Sequence, residues 1–126
     1  MNVGFLNNYK HELRNKFLAN DLYQVFDIQY EEEIEQCILL ITDEREINEE
    51  FIKSILYHSN TFKILLIISD KYNETWYRNI EEIIDKNKTY FDVDLVNVIT
   101  TDRTIISTNF RTKVLLEQIF NRINFS

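Results

Sequence analysis

Phe62-Lys63-Ile64-Leu65-Leu66-Ile67-Ile68-Ser69 restricts what this chain can fold into more than any other stretch. The run is too short for a free-standing helix and rich in branched apolar side chains, so it reads as a strand buried on both faces. A strand covered twice needs helices above and below its sheet, and amphipathic helical patterns lie on either side of this run. The expected architecture is an α/β fold: a single domain over 1–126 with a mixed, mostly parallel sheet flanked by helices and the 62–69 strand at its centre.

The rest of the chain is read around that strand. Phe5, Tyr9, Leu13 and Phe17 fall four apart with Leu6 and Leu18 alongside, which predicts an N-terminal helix within 1–20. Asn20-Asp21 breaks that pattern. Over 25–30, Phe26, Ile28 and Tyr30 alternate with Asp27 and Gln29, the period of a half-exposed strand at a sheet edge. Residues 36–42 contain Cys-Ile-Leu-Leu-Ile, a second buried strand. Asn48 then offers a helix cap, Glu49 and Glu50 suit the positive end of the helix dipole, and Ile47 with Ile52 has the spacing of a hydrophobic staple. Phe51, Ile52, Ile55 and Leu56 form the apolar face of that helix, so 36–69 reads as strand, helix and parallel strand with a right-handed crossover. Asp70 or Asn73 caps a further helix carrying Trp76, Tyr77, Ile80, Ile83 and Ile84 on one side. Strands at 93–100 and 104–110, separated only by Thr101-Asp102-Arg103, must form an antiparallel hairpin. A last helix over 111–124, capped near Asn109 or Thr112, closes a layout in which 22–110 holds the sheet and its crossovers.

Composition removes several functions. There is no proline and Gly4 is the sole glycine, so neither a Walker loop nor a dinucleotide-binding glycine fingerprint can be built. Cys37 is the one cysteine, which excludes an internal disulfide and a cysteine metal cluster and predicts a small buried hydrophobe. No run of about 18 apolar residues and no charged-then-apolar leader is present, so neither a membrane span nor a secretory signal is expected, and a cytoplasmic location follows.

The net charge of −7 is unevenly placed. Residues 1–20 carry three basic and one acidic side chain, 21–85 five and sixteen, and 86–126 six and four. Binding to nucleic-acid phosphates draws on clustered Lys and Arg, so direct phosphate binding is not expected. The acidic middle is either a solvated face or a surface for a basic partner. As a partner surface it comprises Tyr30, Glu31, Glu32, Glu33 and Glu35 before the second strand, and Glu44, Glu46, Glu49, Glu50 and Tyr57 after it, the tyrosines serving as anchors.

Two other constellations carry chemistry. Asp43, Asp70 and Asp102 each follow a predicted strand, and in a parallel sheet such positions open on one crevice. Three carboxylates there would suit Mg²⁺ and phosphodiester or phosphate hydrolysis, while aspartates also end strands and cap helices in any α/β protein. Asp102-Arg103-Thr104-Ile105-Ile106 with Thr108-Asn109, set between two strands, resembles the phospholipase-D-like domains over roughly 36–120. The hydrolytic members of that family use a His nucleophile and a Lys two residues on. Here Thr101 stands at the His position, Thr104 follows Arg103 with no matching Lys, and neither His11 nor His58 has a Lys two residues later. The resemblance therefore implies the fold and a phosphodiester- or partner-binding descendant without histidine chemistry.

Three functions follow as expectations. The chain is a non-catalytic module, requiring no cofactor, that binds another protein of basic surface in the manner of small inhibitors, immunity proteins or defence and counter-defence factors. Alternatively it is a phospholipase-D-like subunit of a larger assembly, or a Mg²⁺-dependent phosphodiesterase or phosphatase.

Overall fold

A computed structural model describes residues 1–6, 12–58, 62–87 and 92–125. Six strands form one sheet in the order β2-β1-β3-β4-β5-β6: β1 is Asn2–Leu6, β2 Gln24–Ile28, β3 Leu39–Asp43, β4 Ile64–Ser69, β5 Asp94–Ile99 and β6 Ile105–Ile106. The first five are mutually parallel, and β6 pairs with β5 in the antiparallel sense. Among the described residues four α-helices accompany them, α1 (Glu12–Leu18), α2 (Glu49–Leu56), α3 (Glu74–Lys86) and α4 (Phe110–Arg122), with two 3-10 helices, η1 (Glu31–Gln36) and η2 (Glu44–Glu46).

Every residue of β4 is buried, as its unbroken apolar run predicts, and it lies between β3 and β5. Alternation along the strands divides the core in two. Phe5, Ile41, Leu66 and Val96 stand side by side on one face under Leu13 and Phe17 of α1 and Leu116, Ile119 and Phe120 of α4. Leu40, Leu65 and Leu95 point the other way, under Ile34 of η1, Ile52 and Ile55 of α2, and Tyr77, Ile80 and Ile84 of α3. The chain leaves β1 toward β2 and later travels the opposite way through β3, β4 and β5. With one hand of crossover, the two directions put α1 and α2/α3 on opposite faces.

Helix starts follow the sequence closely. Asn48, Asn73 and Asn109 cap α2, α3 and α4, their side-chain oxygens accepting from the backbone N–H of Phe51, Trp76, and both Arg111 and Thr112. The edge position of the strand after residue 24 also matches expectation.

Two elements differ. Phe5 and Leu6 belong to strand β1, so the N-terminal helix expected over 1–20 shrinks to α1. The four-residue spacing misleads because β1 and α1 deliver to the same cluster: the Phe5 and Phe17 rings meet edge to face at 6.1 Å. Tyr9, the second member of that pattern, lies outside the described residues. The last strand, expected over 104–110, is only Ile105–Ile106, because the Asn109 cap already starts α4 at Phe110, which is 77% exposed.

Gly4 is fixed by packing. It pairs with Phe26 on one side and Leu40 on the other, and a Cβ there would lie 2.7 Å from Cys37 Sγ and 3.1 Å from side-chain carbons of Ile28 and Leu40. Gly4→Ala is expected to destabilise the fold by about 1–3 kcal/mol in chemical denaturation through overpacking, with partial recovery when Cys37→Ala removes the nearest atom. Leu66→Ala, which empties the middle of the α1/α4 face, is expected to cost about 2–5 kcal/mol in the same measurement.

Candidate functional site

The segment after β2 builds one wall of a cleft. Glu33 reaches back so that its Oε1 accepts from the backbone N–H of Tyr30 at 2.9 Å and of Gln29 at 3.2 Å, which fixes the start of η1. Ile34 anchors η1 in the core, leaving Glu32 and Glu35 exposed and Tyr30 65% exposed. The opposite wall is α2, whose Asn48 cap sets Glu49 and Glu50 in its exposed first turn. Between the walls lies a cavity of about 260 Å³ lined by Leu6, Ile28, Tyr30, Ile34, Phe51 and Ile55, with Gln29 and Ser54 as its polar members. At the far ends of η1 and α2, His58 Nδ1 stands 3.7 Å from Glu35 Oε1. The cleft opens at the carboxyl ends of β1 and β2, next to where the strand order reverses between β1 and β3, the customary position for ligands on a doubly wound sheet.

The expected surface is only partly gathered here. Tyr30 lines the cleft, and glutamates from η1 and α2 flank it. Glu44 and Glu46 lie on η2 beyond β3 and do not line it, and Tyr57, 78% exposed past the end of α2, stands edge to face with His58. The side chain of Glu31 is outside the described part of the structure. Glu49 is paired with Lys53 at 3.1 Å, an exposed contact of small energetic weight.

The strand-end aspartates act locally. Asp43 caps η2 through the Arg45 N–H and holds the Arg45 guanidinium at 2.9 and 3.0 Å. Asp70 accepts from the Thr100 hydroxyl at 3.1 Å. Asp102 accepts from the Thr104 N–H in the hairpin turn, and hydrogen bonds from Thr104 hold its carboxyl below the usual range. Among the described residues no three His, Cys, Asp or Glu side chains are grouped to hold a metal ion. Arg103, at φ 63°, pairs with Glu12 at 2.9 Å and lies 3.8 Å over the Phe125 ring. No helix among the described residues is long and apolar enough to cross a membrane.

Buried polar groups occur on the α2/α3 face. Asn97 Nδ2 donates to the Ile67 carbonyl at 2.8 Å and to Ser69 Oγ at 2.9 Å, tying β5 to β4. Cys37 is fully buried, and burial, with a smaller effect from Glu33, pushes its thiol up to about 11. Tyr77 is pushed up to about 12, chiefly by burial and then by the charge of Glu81. A separate cavity of about 160 Å³ lies beside Tyr77, between α3 and the residues after β6. Sequence reading assigned Tyr77 to the apolar face of its helix and missed this cavity; the i, i+4 spacing of Tyr77 and Glu81 was its only trace.

No model of a known protein family matches the chain, and no curated protein matches it.

Cys37 yields a pH test. As pH rises above 9.0 an unfolded chain ionises its thiol while the folded one stays protonated until about 11, so stability falls across that window. The parent's resistance to denaturant is expected to fall more steeply between these values than that of Cys37→Ala, and the native thiol should resist alkylation until the chain unfolds.

Proposed function

We propose that this protein is a non-catalytic binding module that recognises another protein through the cleft between η1 and α2. The observation that carries this reading is the pairing of an apolar recess with an exposed tyrosine at its mouth and carboxylates on both walls. Such a surface suits a partner that inserts one apolar side chain and surrounds it with Lys or Arg. Burial of the anchor would supply affinity, and the charges would supply attraction at a distance and orientation. An inhibitor, immunity protein or defence factor works through contacts of this kind. The metal-dependent and phospholipase-D-like readings draw on Asp43, Asp70, Asp102 and Arg103, which in this fold hold a cap, a side-chain hydrogen bond from Thr100, a turn and an ion pair respectively.

The test compares proteins captured from host extract by the parent and by a Tyr30→Ala, Glu32→Lys, Glu50→Lys variant. These side chains are exposed, and the Glu33 cap uses only the backbone N–H of Tyr30, which alanine retains, so the variant should melt at the parent's temperature. The parent is expected to retain a basic protein that the variant loses, with association slowing as salt shortens the Debye length from about 30 Å at 0.01 M to about 3 Å at 1 M. Equal retention and equal salt dependence in the two would refute the reading.

A further inference from the structure

We propose that the cavity between α3 and the residues after β6 is a binding site for an organic cation, an alkylammonium or guanidinium head group. Tyr72, Tyr77, Arg78, Glu81, Ser107 and Thr108 line it. Two facts set it apart from an ordinary surface dimple. Tyr77 is 4% exposed, yet its hydroxyl makes no hydrogen bond of good geometry among the described residues, although the Thr108 backbone lies close enough to influence its ionisation. Glu81, one turn further along α3 and also in the lining, has a buried carboxylate oxygen, Oε2, without a hydrogen-bond partner among the described residues.

Buried oxygens left unsatisfied are costly, and two in one recess indicate that something else is meant to donate to them. A positively charged donor suits the pair best, because one acceptor is a carboxylate and a charge-assisted hydrogen bond is the stronger kind. The cation in the lining does not serve, since Arg78 is held by Glu74 through Nε at 3.0 Å and a terminal nitrogen at 2.9 Å. An ammonium or guanidinium has several N–H groups, enough to donate to both Tyr77 Oη and Glu81 Oε2 once a small rotation of these side chains opens the two oxygens, each of which has under 1 Å² of accessible surface in the free protein. Tyr72 adds an aromatic wall, its ring 6.1 Å from that of Tyr77, against which a cation is attracted by the ring quadrupole. At 160 Å³ the recess is about ten times what a single water requires, enough for such a head group. This site borders the β6 side of the sheet and the η1/α2 cleft borders the β2 side, so the inference does not rest on the function proposed above.

The experiment is titration of the whole protein with methylguanidinium and n-butylammonium, and with methylurea as the uncharged counterpart of methylguanidinium, followed by amide and aromatic NMR. The cations are expected to shift Ser107, Thr108 and the Tyr77 ring, methylurea to bind at least about tenfold more weakly, and Glu81→Gln to lose at least about tenfold in cation affinity, as charged hydrogen bonds do. Tyr77→Phe should weaken binding without lowering the melting temperature, since the hydroxyl it removes makes no hydrogen bond of good geometry among the described residues. A capped Arg tripeptide identifies the source: affinity well above methylguanidinium's points to a side chain of another protein, and equal or weaker affinity to a free small molecule. Methylurea binding as well as the cations, shifts absent from these residues, or cation affinity unchanged in folded Glu81→Gln would overturn the proposal. The charged-against-neutral comparison uses the parent protein alone, so it decides the matter even if Glu81→Gln fails to fold.

Discussion

The whole arrangement depends on a sheet that is apolar on both sides. Along β4, Leu65 and Leu66 are equally buried but face opposite clusters. A strand of this kind cannot rest against solvent on either side, so helices must arrive from both directions. The same demand leaves very little room between strands and helices, and at Gly4 it leaves none: Cys37, Ile28 and Leu40 occupy the space a side chain would take. The only glycine of the chain therefore serves close packing, while turns that elsewhere employ glycine are made by Arg103 and Asn124 at φ of 63° and 61°.

Much of this was legible in the sequence because the signals were local. β3, β4 and β5 are apolar runs, and Asn48, Asn73 and Asn109 sit immediately ahead of helical periodicity, where an accepting side chain is chemically useful. β1 was hidden for a physical reason. An inner parallel strand shows no alternation, and Phe5 happens to fall in phase with Leu13 and Phe17, which cover the same face. Periodicity reports which residues reach a common core; it does not report whether a helix or a strand takes them there.

The sites were less legible, since each is a relation between distant segments. Tyr30 and its neighbouring glutamates stood out by charge and exposure, but the recess they flank needs Phe51 and Ile55 from a helix on the other side of β3. Tyr77 looked like one more apolar residue on an amphipathic face. Only the three-dimensional arrangement shows that, among the described residues, neither its hydroxyl nor one oxygen of the neighbouring Glu81 carboxylate has a hydrogen-bond partner.

The two faces of the sheet also differ in when they can be finished. The α2/α3 side draws its helical cover from η1, α2 and α3, all within 31–86, the middle of the chain. The other side joins Phe5, Leu13 and Phe17 to Leu116, Ile119, Phe120 and Phe125, and clasps the two regions through Arg103 with Glu12 and through the Asn20 amide to the Arg122 carbonyl. A nascent chain can bring Phe5, Phe17 and Tyr23 together early, but it lacks the cover that α4 and Phe125 give this face until the last part of the sequence is made. That interval leaves apolar surface without its final cover, the circumstance in which incompletely folded chains aggregate or recruit chaperones.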